Sequence, residues 1–294
     1  MKWEEGRKLG GYTTFGIGGP ATYLVEVKTI DELVAAIQLS NEKKCRRIVL
    51  GKGSNTLFDD LGFDGLVIVN KIDFLEENES GFFRVGAGYS FSRLGTHTAK
   101  KGWAGLEFAS GIPGSVGGAV FMNAGANGQE TSDCLVSVEA VDEQGAIKVY
   151  RKDELEFSYR TSRFQKNFES IVAASFQLVR SGAARQRQID LITYRKNTQP
   201  YGDRSAGCVF RNPDCSSAGA VIDQAGLKGL RVGGAEVSQM HANFIVNRDG
   251  ATSNDVLELI ECVRKEVKRI RGIDLESEVR YIPQNVNQSD HHSV

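Results

Sequence analysis

Residues 102–128 read GWAGLEFASGIPGSVGGAVFMNAGANG, with glycine at 102, 105, 111, 114, 117, 118, 125 and 128. Over the whole chain glycine is 33 of 294 residues, about 11% against a usual ~7%, and the excess is gathered into groups. Pro113 fixes its own φ, and the glycines around it let the main chain turn or come close to a ligand. From Ser115 onward a helix is expected to start, with its unpaired N–H groups facing an anion. A second group, Gly51-Lys52-Gly53-Ser54-Asn55, directly follows the apolar strand RRIVL at 46–50. Successive N–H groups in such a turn bind phosphate; a plain tight turn is the competing reading. A third, Gly16-Ile17-Gly18-Gly19-Pro20-Ala21, fits the loose GxGxxA pattern of a Rossmann fold. That reading is rejected, because the fingerprint needs a helix after it and Pro20 with TYLVEV follows instead. No GxxxxGK[ST] occurs. Three nests in one region point to a long dinucleotide lying across a non-Rossmann α+β domain.

Working outward, strands are expected at Thr22–Lys28, Arg46–Leu50, Gly65–Asn70, Phe82–Gly86, Leu135–Asp142, Ala146–Tyr150 and Ile171–Arg180. Between the first two, Thr29 with Glu32 forms a capping box for a helix that buries Leu33 and Ile37. After about 180 the pattern changes. Helices at Ile189–Asn197 and Ala218–Gly226 alternate with short strands at Cys208–Arg211, Arg231–Ser238 and Asn243–Asn247. A long helix follows, with Ser253 as N-cap and Val256, Ile260, Val263, Val267 and Ile270 on one face; Gly272 stops it. A last strand, Glu278–Ile282, is expected to pack back on the first part. The domain reading is 1–180, in two subdomains meeting near residue 72, then 181–283. A disordered tail follows at 284–294.

Lys plus Arg total 36 against 37 for Asp plus Glu, a net charge of −1, which argues against a nucleic-acid or anionic-membrane binder. No apolar run is long enough to cross a bilayer. The start of the chain has no signal-peptide core, so a cytoplasmic monomer is expected. Five cysteines at 45, 134, 208, 215 and 262 contain no CxxC pair; neither a disulfide framework nor a metal site is expected.

The segments GKGSNTLFDDLGFDGLVI, GLEFASGIPGSVGGAVFMNAGA, SYRTSRF, SAGCVFRNP, HANFIVN and LESEVRYI occur in that order. Together they closely resemble the UDP-N-acetylenolpyruvoylglucosamine reductase family, from about Thr14 to Ile282. The resemblance implies the FAD-binding fold of vanillyl-alcohol-oxidase-type flavoproteins, in two α+β subdomains, plus a C-terminal α+β substrate-binding domain. It also implies NADPH as hydride donor and a nucleotide-sugar substrate. No histidine stands beside the first nest, so non-covalent FAD is expected. Two departures stand out: Cys208 and Arg211 where the family pattern reads SAGS-x-F-K-N-P, and Thr13-Thr14-Phe15 for an N-T-F start. The chain's length resembles the shorter-chain form of the family, without a tyrosine-bearing loop over the substrate.

The implied reaction reduces an enolpyruvyl group, so it needs a cation at a carboxylate, a polar group to orient it, and a proton donor. The resemblance assigns Arg160 to the carboxylate, where a rigid guanidinium fork suits bidentate pairing. Glu278 is the second catalytic residue, with Glu276 as the decoy on the same strand face. Cys208 stands at the proton-donating serine; a thiol is mostly protonated at neutral pH and should be open to alkylation. For FAD the resemblance points to Gly51, Gly53, Ser54 and Asn55, and to Gly111, Gly114, Gly117, Gly118 and Asn123. Asn212 and Asn243 are the further substrate contacts, with His241 either a contact or a packed helper. Two other readings stay open: another oxidoreductase on the same flavin fold that uses oxygen, and a non-catalytic flavin or nucleotide sensor.

Overall fold

The computed structural model describes residues 2–167, 169–214 and 216–285. Cys215 and residues 286–294 of the expected tail lie outside the described residues.

The first sheet is built from β1 (Trp3–Lys8), β2 (Pro20–Val27), β3 (Arg47–Leu50) and, after the short separate β4 (Thr56–Phe58), β5 (Phe63–Asn70), in the order β1-β2-β5-β3. β5 pairs parallel to both β2 and β3, and a parallel strand covered on both faces reads as a continuous apolar run. Its Leu66 and Ile68 pack with Leu33 and Ile37 of α1 (Ile30–Glu42), while Val67 and Val69 face Leu24, Phe58 and Phe63. Thr29 caps α1 as expected by accepting from Glu32 N, but Glu32 reaches back to Lys28 N–H instead of Thr29.

The second sheet collects β6 (Leu75–Glu77), β7 (Phe82–Gly86), β8 (Leu135–Val141), β9 (Ile147–Arg151) and β10 (Ser170–Gln177), in the order β9-β8-β10-β7-β6, all antiparallel. α2 (Phe91–Lys100) and α3 (Val116–Phe121) cover it. The expected strand to Arg180 breaks after β10, and Val179–Arg180 pairs separately with Trp103–Ala104.

α4 spans Ala184–Thr198, five residues earlier than expected, because its first turns are polar and bury only Ala184 and Gln188; it packs against α2 and the segment Glu107–Gly111, with Leu191 on the core of the second sheet. In the C-terminal unit, α5 (Ala218–Gln224) precedes a three-stranded antiparallel sheet of β11 (Arg231–Val232), β12 (Ala235–Val237) and β13 (Ile245–Asn247). The single strand expected at Arg231–Ser238 is split by Gly233 at φ +50. The expected strand at Cys208–Arg211 is an extended segment with one bridge, Phe210 to Ser277. Arg211 N–H to Glu276 O and Glu278 N–H to Val209 O flank that bridge, and Asn243 bonds Phe210 N–H and C=O with its own amide at 2.9 and 2.8 Å. α6 (Ser253–Arg271) is capped by Thr252, not Ser253: Thr252 Oγ1 accepts from Asp255 N, and Asp255 returns a bond to Thr252 N–H. Ile270, expected on the buried face, lies in the last turn and is 43% exposed. Gly272 ends the helix at φ +70.

The chain returns as β14 (Arg280–Ile282), parallel to β4. Phe15, Ile17 and Leu57 from the first unit are buried in the core of the C-terminal one. Side chains lock the join. Asp60 Oδ2 accepts from Ser253 N–H and Oγ–H at 2.5 and 2.8 Å, and Tyr281 Oη donates to Asp59 at 2.7 Å. Ser253 is thus occupied by the partner unit, which is why Thr252 takes the cap. Replacing Asp60 by Ala should lower unfolding stability by about 1–2 kcal/mol, read as a lower urea midpoint. An unchanged midpoint would show that the join does not depend on this contact.

Candidate active site

A cavity of about 720 Å³ lies where the two sheets meet the C-terminal unit, near the upper end of typical ligand-pocket sizes. One wall is the edge strand β3 and the turn after it. A Cβ on Gly51 would stand 2.2 Å from Ser115 Oγ, and one on Gly53, at φ +59, 2.2 Å from Tyr12 O. Only glycine lets this turn close against the cap of α3, where Ser115 Oγ accepts from Gly118 N–H. Gly51, Gly53, Ser54, Asn55, Gly114, Gly117 and Gly118 all line the cavity. Gly111 and Asn123 do not. Gly111 lies beneath Arg195, whose Cδ occupies the place of a Cβ, and Asn123 is wholly buried with its amide bonded to Ser158 O and Ser132 N.

Arg160, Cys208 and Glu278 come from three separate segments and share one stretch of the lining. Arg160 Nε donates to Glu278 Oε1 at 2.8 Å and Nη2 to Gly125 O at 3.0 Å. Its φ is +57, a left-handed conformation that costs a non-glycine residue about 1–2 kcal/mol. Glu278 is set by backbone bonds: its N–H donates to Val209 O, its C=O accepts from Asn55 Nδ2, and Arg280 N–H donates to Asn55 O. Asn55 thereby joins the first glycine turn to the segment that carries Glu278 into β14.

Burial pushes the Glu278 carboxyl above the usual carboxylate range, against the pull of Arg160. Burial, with the charge of Glu278, pushes the Cys208 thiol up to about 11, while Arg160 and Arg195 oppose it. Both groups therefore hold their protons more tightly than in water. This works against the expected ready alkylation of Cys208, because it suppresses the reactive thiolate.

Asn212 and Asn243 also line the cavity. Asn243 spends its amide on Phe210, and Asn212 Oδ1 accepts from Ala218 N–H. Three cations were missed in the sequence. Arg280 lines the cavity with its guanidinium 4.4 Å from the Phe121 ring and no ion pair among the described residues; burial lowers its pKa. Its signal was its place two residues after Glu278 in the same motif, LESEVRYI, at the start of β14. Arg195, hidden in a polar helix, and Lys228 stand near His241, whose pKa burial and then Lys228 and Arg195 depress. His241 Nδ1 accepts from Asn243 N–H at 3.2 Å. A cavity with two glycine turns and an unpaired guanidinium fits a phosphate-bearing, anionic cofactor.

Comparisons with known proteins agree. Residues 21–150 match the FAD binding domain family, and residues 199–282 match the C-terminal domain of UDP-N-acetylenolpyruvoylglucosamine reductase. The reductase of that name from Protochlamydia amoebophila (strain UWE25) is 60% identical over 94% of this chain and 92% of its own. That of Chlamydia felis (strain Fe/C-56) is 50% identical over 95% and 94%. The crystal structure of UDP-N-acetylenolpyruvylglucosamine reductase from Thermus caldophilus matches with a TM-score of 0.83 at 38% identity, covering 96% of this chain and 100% of that one. The expected α+β architecture, an FAD-binding part followed by a reductase C-terminal domain, is borne out.

With a thiol pKa of about 11, Cys208 should react with iodoacetamide at pH 8 roughly 100-fold more slowly than an ordinary exposed cysteine. Its rate should still be climbing at pH 10. Peptide mapping against Cys208→Ser isolates this thiol; a rate that levels off near pH 8.5 would contradict the environment described.

Proposed function

This chain belongs to the UDP-N-acetylenolpyruvoylglucosamine reductase family, and we propose that Arg160, Cys208 and Glu278 form its catalytic group. The protein is an FAD-dependent oxidoreductase that uses NADPH to reduce UDP-N-acetylglucosamine enolpyruvate to UDP-N-acetylmuramate, a step in peptidoglycan precursor synthesis. FAD, when bound, supplies the hydride relay from NADPH to the β-carbon of the enolpyruvyl group. The observation that carries the residue assignment is the convergence of these three side chains, from distant segments, on one cavity wall.

In this reading Gly51, Gly53, Ser54 and Asn55, with Gly114, Gly117 and Gly118, hold the cofactor's phosphates and ribityl chain. Arg280 supplies a cation beside them. Arg160 pairs with the substrate carboxylate. As hydride reaches the β-carbon, negative charge moves into that carboxylate as an enediolate, and the guanidinium stabilises it where it develops. A second carboxylate at the same arginine favours the protonated form of Glu278, which then donates a hydrogen bond to the enediolate. Cys208 gives its proton to the α-carbon, and the resulting thiolate, of a thiol with pKa about 11, regains one from solvent. Since both acids work protonated, activity should fall as pH rises through their raised values. Arg195, Lys228 and His241 provide positive or donor groups for the substrate diphosphate, with Asn212 beside them.

The matching domain division is 1–180 for the cofactor, with subdomains meeting near 72 between β5 and β6, and 181–283 for the substrate. All proposed roles fall within one chain, so a monomer suffices. We place it in the cytoplasm, where NADPH and nucleotide sugars are made.

Stopped-flow absorbance of the flavin separates the two half-reactions. Arg160→Lys should keep reduction by NADPH and slow reoxidation by the enolpyruvyl substrate 10²–10³-fold, about 2.7–4 kcal/mol. Cys208→Ser should keep substantial reoxidation, and Cys208→Ala should lose it while FAD binding persists. An alanine variant that reoxidises like wild type would leave Cys208 as packing only.

A further inference from the structure

The turn that carries Arg160 belongs to no sheet. Thr161 N–H donates to Ser158 O at 3.0 Å and Ser158 N–H to Thr161 O at 3.2 Å, which leaves Tyr159 and Arg160 at the tip. Arg160, at φ +57, occupies the turn position that usually belongs to glycine or asparagine. Such a conformation persists only where its surroundings over-determine it. Tyr159 is 45% exposed, so core packing does not hold the tip.

Side-chain amides do. Gln165 Nε2 donates to Arg160 O at 2.9 Å and to Phe121 O at 2.8 Å. Asn123 Nδ2 donates to Ser158 O at 3.1 Å, and Asn123 is itself fixed by Ser132 N–H on Oδ1 at 3.0 Å. Ser162 Oγ donates to Phe121 O at 2.7 Å. Three of these bonds, Gln165 and Ser162 to Phe121 O and Asn123 to Ser158 O, tie the turn to the chain at the end of α3, which also forms the cavity wall, and Gln165 bonds the Arg160 carbonyl with the same amide. Asn123, expected at the cofactor, instead serves the arginine.

We propose that Gln165, assisted by Asn123, is the positioning residue of Arg160: its amide fixes the strained turn to the end of α3 and so aims the guanidinium at the substrate carboxylate. This rests on the reading of Arg160 given above. Gln165 touches neither Glu278 nor the reacting atoms; it acts through the Arg160 carbonyl.

The test uses FAD-loaded protein and two ligands that differ by the lactyl group that carries the carboxylate, UDP-N-acetylmuramate and UDP-N-acetylglucosamine. Their affinity ratio, from calorimetry, reads the Arg160 contact without turnover. Gln165→Glu keeps the shape but points a carboxylate at two carbonyl oxygens. Relative to wild type at the same pH, the ratio should fall at least ten-fold at pH 8 and recover toward pH 5, where the new side chain gains a proton. Gln165→Met, with no donor and no titration, should lower the ratio at both pH values. FAD content and UDP-N-acetylglucosamine affinity should stay within two-fold. The ratio in Arg160→Lys combined with Gln165→Glu should be no lower than in Arg160→Lys alone, the sign of a shared interaction. Wild-type ratios in both Gln165 variants, equal weakening of both ligands, or additive losses would overturn the proposal. A wild-type ratio in Arg160→Lys would instead overturn the carboxylate assignment itself.

Discussion

An arginine and a glutamate 118 positions apart meet at 2.8 Å inside the cavity, and much of the architecture exists to make that meeting possible. Arg160 comes from a turn in the connection between two strands of the second sheet, β9 and β10. Glu278 comes from the far end of the C-terminal unit, just before the chain crosses back to lie beside β4. A charge taken out of water alone is costly, and one paired with good geometry is tolerated. The pair therefore keeps a guanidinium available in a partly dry site. Because burial already raises the carboxyl's proton affinity, an arriving carboxylate can displace the charge on Glu278 without removing the residue from the site.

Around that pair the main chain is packed closely enough that two glycines are obligatory. Gly51 and Gly53 bring the turn after β3 against Ser115 and Tyr12, and Asn55 carries the same turn to the backbone of Glu278 and Arg280. The cofactor-facing turn and the segment that carries Glu278 are thus one hydrogen-bonded unit. The join made by Asp59, Asp60, Ser253 and Tyr281 keeps the two halves of the cavity in register.

Elements with strong periodicity were legible in the sequence: β5 and β10 as apolar runs, α1 from its cap, α6 from its buried stripe and Gly272. Elements held by side-chain or long-range contacts were not. Cys208–Arg211 reads as a strand because its residues are extended, yet its pairing is a single bridge to Ser277, with the Asn243 side chain taking both main-chain groups of Phe210 on the other side. The cap of α6 moved one residue because Ser253 is used by Asp60, a partner 193 positions away. Arg160, Cys208 and Glu278 were named from their motifs and share one cavity wall. Gly111 and Asn123 carry the same kind of signal and sit behind that wall, since a motif does not distinguish a residue that touches a ligand from one that supports its neighbour. Arg195 lies in a helix with almost no apolar face, and nothing local marks it.

The most direct measurement is a crystal structure of the FAD complex with UDP-N-acetylmuramate. The account predicts the lactyl carboxylate bidentate on the Arg160 guanidinium, with Glu278 and Cys208 Sγ both in contact with the lactyl group. A carboxylate seated instead among Arg195, Lys228 and His241, with the Arg160–Glu278 pair undisturbed, would contradict it.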